Sequence, residues 1–291
     1  MASSTVGIIG LGIMGGAIAR NLLAAGTSVR GYDVDAARFD ALQPRGIAAR
    51  SAAEAAQGAD VVLTSLPSIA ALDATVAGLL AANVAGLVVA ELSTLPIEAK
   101  EKAHAQLAAG GITLLDCPLS GTGAQAVTRD LAVYASGERA AYDRAAPAFA
   151  GFARASHYLG AFGNGSKMKF VANLLVAVHN VASAEAMVLG MKAGLDPDAI
   201  VAVIASGAGT SRVFELRAPL MAKGDYAPTM KIDIWQKDMA IIAEFAKSLG
   251  VPIPTFSASA PLYDAAQQAG LGGKDTAAVA EIIAARADLK R

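Results

Sequence analysis

The stretch GAFGNGSKMKFVAN, residues 160–173, divides the sequence into two halves of different pattern. Glycines at 160, 163 and 165 interrupt regular structure, because glycine accepts backbone angles and close approaches that other residues resist. A long apolar run follows at once, SKMKFVANLLVAVHNVASAEAMVLGMKAG, and reads as a helix. Before the stretch, short apolar runs alternate with helical patterns. After it the patterns are almost all helical. The boundary is placed at 163/164, giving an α/β domain over 1–163 and an all-helical domain over 164–291, with a long helix joining them.

The same stretch carries chemistry. Lys169 and Asn173 are four residues apart, so on a helix they share a face one turn removed. Lys167 lies roughly 200° around the axis from Lys169 and points elsewhere. A lysine in a helix's first turn is poorly placed for the dipole, which favours anions there. Lys169 also sits beside Phe170 at a glycine-lined junction, where clefts form. It is therefore a candidate for a role beyond solvation.

Working back to the start, residues 5–9 read as a buried strand that runs into GLGIMG. Gly10, Gly12 and Gly15 have GxGxxG spacing, with Leu11, Ile13 and Met14 between them. A helix follows to about Ala25, then the strand SVRGYD ending at Asp33. Alone the glycine spacing is weak. Between a strand and a helix, with an acid at the end of the next strand about 20 residues on, it marks a dinucleotide-binding turn. The glycines allow a tight turn and a close approach to a pyrophosphate, and the helix N-terminus offers it N–H groups. Asp33 can bond both ribose hydroxyls and would repel a 2′-phosphate. Val34 follows, with no arginine to pair with a phosphate, so NAD is favoured, with NADP as the alternative; Arg38 nearby softens the preference.

The alternation continues as a doubly wound sheet requires. Residues 37–44 look helical, and Ser51 is placed to cap a short helix. ADVVLTSL is a buried strand leading to Leu66, Pro67 and Ser68. Loops at the carboxyl ends of such strands face the ligand, which makes Leu66, Pro67 and Ser68 cofactor-lining candidates. LVVAEL ends at Ser93 and Thr94, whose hydroxyls would lie near the nicotinamide end; a cap for the next helix is the plainer role, and the two are compatible. ITLLDCP leads into Ser120, Gly121 and Thr122, a second glycine-rich loop suited to a substrate carboxylate. LAVYASG, a helix and a short strand near HYLG return the chain to the central stretch. Helices follow from Asp196-Pro197, a cap and first-position pair, and over 212–223, 231–249, 254–269 and from about Asp275.

Composition narrows the classes. Of 291 residues 54% are hydrophobic and 17% charged, enough for a large core. A net charge of −1 argues against a nucleic-acid binder relying on positive charge. The single cysteine, Cys117, excludes an internal disulfide framework and a multi-cysteine metal site. The start shows no signal-peptide pattern, and His179 and Asn180 interrupt the apolar run of the long helix, so no membrane span is expected. A cytoplasmic protein is the expectation.

Taken in order, these motifs resemble the β-hydroxyacid dehydrogenase family, which includes 3-hydroxyisobutyrate dehydrogenase, tartronate semialdehyde reductase and the glyoxylate/succinic semialdehyde reductases. The resemblance covers essentially the whole chain: GLGIMG, DCPLSGTGAQA, GAFGNGSKMKFVAN and WQKDM stand in the family's order. It implies a hydride-transferring oxidoreductase acting on a small 3-hydroxy acid or its semialdehyde. The catalytic lysine falls on Lys169 and its helper on Asn173. Ser120, Gly121 and Thr122 bind substrate, Thr94 contacts the nicotinamide, and Lys237 lies near the cofactor. No metal is required. Partial burial beside a cationic nicotinamide would lower a lysine pKa from about 10.4 toward neutrality. Thr122 departs from the family's usual glycine, and the hinge spelling is closest to semialdehyde reductases. The resemblance also implies a homodimer or homotetramer, in keeping with a helix apolar over more than one face. The alternatives are an imine reductase on the same scaffold, against which Lys169 counts, and a non-catalytic cofactor-binding module. Ser211 and Arg212 are candidates for a polar substrate end.

Overall fold

The computed structural model describes residues 4–289. The chain forms two compact units, 1–169 and 170–291. The physical division thus falls six residues inside the long helix, later than the 163/164 boundary read from the glycine cluster.

The first unit is built on strands β1 (Thr5–Ile9), β2 (Ser28–Tyr32), β3 (Ile47–Ala48), β4 (Val61–Thr64), β5 (Val88–Glu91) and β6 (Thr113–Asp116). They form one sheet in the order β3-β2-β1-β4-β5-β6, with every pairing parallel. The order reverses direction at β1, the topological switch point of a doubly wound sheet. Helices α1 (Ile13–Ala24), α2 (Ala52–Ala56), α3 (Ile69–Ala82) and α4 (Ile97–Ala109) connect them. Both faces are covered, so the strands read as continuous apolar runs. Successive residues still alternate between faces. Val6, Ile8, Leu63, Val88, Ala90 and Leu115 pack into one core with Leu22, Phe149 and Phe152. Ile9, Val62, Val89 and Leu114 pack into the other with Leu72, Val76, Leu79 and Leu107.

A smaller sheet, β7 (Leu119–Ser120), β8 (Ala132–Ala135) and β9 (Ala155–Tyr158), follows, with β8 antiparallel to β7 and parallel to β9. Helices α5 (Gly123–Val127) and α6 (Arg139–Phe152) lie in its connections. The segment read as helical over 37–44 is a 3₁₀ turn, Ala36–Leu42, that stops before Pro44. Ser51 caps α2 as expected, its Oγ accepting the Glu54 N–H at 3.1 Å.

Helix α7 spans Asn164–Lys192. By length and composition it could cross a bilayer, which corrects the expectation that His179 and Asn180 cut its apolar run short. Within the second unit, however, the Asn180 amide is fully buried and donates to Tyr263 Oη and to the Thr276 carbonyl at 3.0 and 2.9 Å. A buried amide group donating to two internal partners belongs to a protein core. The rest of the second unit is helical: α8 (Pro197–Ala205), α9 (Arg212–Lys223), α10 (Ile232–Ser248), α11 (Pro254–Ala266) and α12 (Val279–Arg286). Asp196 caps α8 through the Ala199 N–H. Asp275, fully buried, accepts from the N–H groups of Thr229, Met230 and Ala277 and pairs with Arg217 at 3.4 Å.

Candidate active site

The carboxyl ends of the parallel strands place the first unit's candidates. β1 runs into Gly10, whose φ of +90° suits glycine. A Cβ there would strike the Ser65 carbonyl at the end of β4, and one on Gly15 would strike the Gly10 carbonyl. A Cβ on Gly12 would meet nothing within 4 Å. Two of the glycines thus serve the chain's own turn and helix packing, while the third faces open space. Gly12 is also the N-cap of α1 and supplies no side-chain cap, so the first N–H groups of the helix lack an intrahelical partner. This cradle fits the pyrophosphate of a dinucleotide. Leu11 is buried, whereas Ile13 is exposed beside the turn.

Asp33 follows β2. Its Oδ2 accepts the Leu11 N–H at 2.7 Å and its Oδ1 the Asp35 N–H at 2.9 Å, which fixes the carboxylate against the glycine turn. Val34 is 91% exposed. Arg38 pairs with Asp35 at 3.3 Å on the surface. Two acids and an already paired arginine thus stand at the end of β2, an environment suited to hydroxyls rather than to a phosphate.

After β4, Leu66 is buried, while Pro67 and Ser68 are exposed. Ser68 caps α3 by accepting the Ala71 N–H. Ser93 is not the helix cap that its position suggested. Helix α4 begins after Pro96 without a side-chain cap, and Ser93 Oγ instead accepts the Leu66 N–H at 2.7 Å. Long-range pairing between two strand ends wins over the local option. Thr94, the next residue, is half-buried.

Ser120 lies in β7, a two-residue strand that the glycine-rich spelling concealed, and Gly121 has φ +131°. The Thr122 N–H and Oγ1 both face Gln125 Oε1, at 3.0 and 3.3 Å, and Gln125 Nε2 reaches Asp130 Oδ2 at 3.1 Å. The Thr122 amide is therefore engaged within its own loop. This loop abuts the glycine turn: a Cβ on Gly123 would lie 2.5 Å from Ile13 Cγ2.

Lys169 sits in the second turn of α7 and is 8% exposed. Lys167 is exposed and reaches Asn164 Oδ1 at 3.4 Å, as the helical geometry requires. Asn173 is buried one turn beyond Lys169, and its Nδ2 donates to Asp238 Oδ2 at 3.0 Å within the second unit. Asp238 also lies 3.7 Å from Lys237, which is half-exposed. Ser211 Oγ caps α9 through the Phe214 N–H, and Arg212 pairs with Glu215 at 3.2 Å; both groups have local partners, which accounts for them without a substrate.

Residues 5–160 match the family model described as the NAD binding domain of 6-phosphogluconate dehydrogenase. Residues 163–283 match the one described as NAD-binding of NADP-dependent 3-hydroxyisobutyrate dehydrogenase. The chain belongs to the β-hydroxyacid dehydrogenase family. It is 38% identical to L-threonate dehydrogenase of Cupriavidus necator, with 96% of each chain covered. It is 30% identical to glyoxylate/succinic semialdehyde reductase 1 of Arabidopsis thaliana, over 96% of this chain and 98% of that one. The crystal structure of 3-hydroxyisobutyrate dehydrogenase from Salmonella typhimurium superposes with a TM-score of 0.86 at 34% identity, covering 96% of this chain and all of the other. As a member of this family the chain is an NAD(P)-dependent oxidoreductase for small hydroxy acids or their semialdehydes.

One group of residues was missed in the sequence: Glu91, Lys100 and Asp116, all buried, with Lys100 Nζ 2.6 Å from Glu91 Oε2 and 2.8 Å from Asp116 Oδ1. Burial alone would lower the Lys100 pKa, but the two carboxylates outweigh it and hold the ammonium well above its ordinary value. The signal was present. Ile97, Lys100, Ala103 and Leu107 form the buried face of α4, so a lysine occupies the apolar stripe of an otherwise amphipathic helix. Cys117, next to Asp116, is a buried thiol pushed well above its usual pKa, first by burial and then by that carboxylate, so it is unsuited to act as a nucleophile.

Proposed function

We propose that this enzyme oxidises a short hydroxy acid, with L-threonate the first candidate, or reduces the matching carbonyl compound, and that Lys169 is its general acid/base. The observation that carries the proposal is a lysine only 8% exposed, anchored one helical turn from a buried asparagine whose amide is fixed by Asp238. A buried ionisable group is a functional-site signal.

In oxidation a neutral Lys169 takes the hydroxyl proton, and in reduction its ammonium returns that proton to the carbonyl oxygen. The bound nicotinamide accepts or supplies the hydride. Ser120 and Gly121 receive the substrate carboxylate, with Thr122 shaping the loop. Asn173 orients the reacting oxygen. Gly10, Gly12 and Gly15, with Leu11, Ile13 and Met14 between them, cradle the pyrophosphate, Asp33 takes the ribose, and Leu66, Pro67, Thr94 and Lys237 complete the cofactor contacts. NAD is the preferred cofactor, on the strength of Asp33, Asp35 and exposed Val34. The same proposal assigns cofactor binding to 1–163, and substrate binding and assembly to 164–291. It describes a cytoplasmic homodimer or homotetramer with no nucleic-acid or membrane partner; the exposed Met168, Val171 and Leu175, at helical spacing on α7, support burial against a second copy.

Initial rates with NAD and NADP on L-threonate and 3-hydroxyisobutyrate, and with NADH and NADPH on glyoxylate and succinic semialdehyde, test the substrate. Lys169→Ala should lower kcat by roughly 10²- to 10⁴-fold while NADH still binds. Near-normal turnover by this variant would remove the lysine from its role.

A further inference from the structure

We infer that Lys100 is a positioning residue for catalysis, joining the cofactor-facing strand ends to the turn of α7 that bears Lys169. Its ammonium donates to Asp116 Oδ1 and to the Ser93 carbonyl, at 2.8 and 2.7 Å, and is ion-paired with Glu91 Oε2 at 2.6 Å. On one side the network reaches the cofactor loops. Glu91 Oε1 accepts the Ser93 N–H at 3.0 Å, and Ser93 Oγ accepts the Leu66 N–H. On the other side it reaches the start of α7. Asp116 Oδ2 accepts the Ser166 N–H at 2.7 Å, and its Oδ1 accepts the Ser166 hydroxyl at 2.7 Å. Ser136 Oγ lies 3.3 Å from Asp116 Oδ2 and accepts the Gly165 N–H at 2.9 Å. A Cβ on Gly165 would be 2.6 Å from the Asp116 carbonyl oxygen, so the helix start lies directly on the end of β6.

The chemistry of the group explains why the lysine matters. A carboxylate at a helix N-terminus is favoured by the dipole and by charge-assisted hydrogen bonds to N–H groups. Asp116 holds Ser166 in this way through both carboxylate oxygens. It is fully buried beside a second fully buried acid, Glu91, and Lys100 is the cation between the two. Lys100 thus keeps Asp116 in the place that grips α7, three residues before Lys169. Its ammonium touches neither substrate nor cofactor. It acts through the placement of the turn.

The inference rests on Lys169 as the acid/base, and the experiment separates the two. Wild type, Lys169→Ala, Lys100→Met, Lys100→Met/Glu91→Gln and Lys100→Met/Asp116→Asn are compared for kcat with L-threonate and NAD, for NADH affinity by fluorescence titration, and for melting temperature. In Lys100→Met the two buried acids face each other without their cation, so Asp116 should be displaced from Ser166 and kcat should fall roughly 10- to 100-fold, the scale of a misplaced catalytic group, with NADH affinity changed less than about threefold. Adding Glu91→Gln removes the competing charge and should recover most of the lost kcat. Adding Asp116→Asn should not. Ser166→Ala, which removes one donor to Asp116 while leaving Lys100, Glu91 and Asp116 themselves in place, should lower kcat by about 3- to 10-fold and serves if Lys100→Met does not fold. If the folded Lys100 variants and Ser166→Ala all keep wild-type kcat, the network is structural only and the inference is wrong. Equal recovery in both double variants would also overturn it. If Lys169→Ala itself stays active, the failure lies with the lysine's proposed role instead.

Discussion

Substituting the second and third glycines of the GLGIMG turn separately by alanine should have opposite effects, because the two positions face different things. A Cβ on Gly15 runs into the Gly10 carbonyl, a backbone group that cannot turn away, so α1 must shift from the sheet. Overpacking of this kind costs about 1–3 kcal/mol. At about 2–4 °C per kcal/mol for a unit of this size, Gly15→Ala should melt roughly 2–12 °C lower without any ligand. A Cβ on Gly12 meets nothing within 4 Å. There only the poorer N-cap propensity of alanine counts, no more than about 1 kcal/mol, or about 2–4 °C. Its methyl does occupy the space that the pyrophosphate needs. Charging that overlap the same 1–3 kcal/mol raises the NADH dissociation constant roughly 5- to 150-fold. Thermal unfolding with and without NADH, together with fluorescence titration, measures both quantities. Gly12→Ala should be a stable protein that gains little melting temperature from NADH. A Gly12→Ala protein that binds NADH like wild type, or melts as low as Gly15→Ala without ligand, would refute the division of roles.

Two further outcomes follow from the charges. Val34→Arg places a cation beside the ribose position on a fully solvated side chain, and should raise kcat/KM for NADPH relative to NADH by about tenfold without changing melting temperature; an unchanged ratio would count against Asp33 as the ribose-binding acid. Asp275→Asn leaves buried Arg217 without its carboxylate and should cost roughly 3–5 kcal/mol in urea unfolding at pH 7. Burial raises the Asp275 pKa, but Arg217 and the N–H and hydroxyl donors outweigh it and hold the carboxyl below its ordinary value. The stabilisation is therefore complete above the unfolded value of about 3.9 and fades as pH falls below it toward the folded pKa. The gap between wild type and variant should accordingly close only below about pH 4, and a gap that closes near pH 6 would assign the effect to another group.

What the sequence revealed and what it hid divide along one physical line. The strand runs, the GLGIMG turn with Asp33, the Ser51 and Asp196 caps and the change of pattern at residues 160–165 are local signals, and the structure carries all of them. Very short elements were missed: β7 has two residues and α5 five, too few for alternation or helical spacing to repeat, whereas the equally short α2 was found from its Ser51 cap. Residues whose local and distant options compete were misassigned. Ser93 precedes a helix and is a good cap by type, yet its hydroxyl is taken by Leu66 from the neighbouring strand end. The boundary at 163/164 followed the glycines. The compact units divide after Lys169 because Gly165 and Ser166 are bonded to Ser136 and Asp116, contacts that no spacing rule contains.

That last difference bears on the chemistry. A helix that simply began a second domain at Asn164 would carry Lys169 wherever that domain moved. In the structure the first turn of α7 is held by the same buried acid that ends β6, and β6 neighbours β5, whose end leads into Ser93 and Thr94. A lysine three residues beyond that anchor can stray from the strand ends only by the play of about one helical turn, roughly 5 Å of rise. Asn173, one turn further on, lies beyond the division and takes its fixed partner, Asp238, from the second unit. The two proposed catalytic residues share a helix, but each is fixed by a different body. Loosening the Asp116 grip should therefore affect the lysine's proton transfer before it affects the asparagine's hydrogen bond.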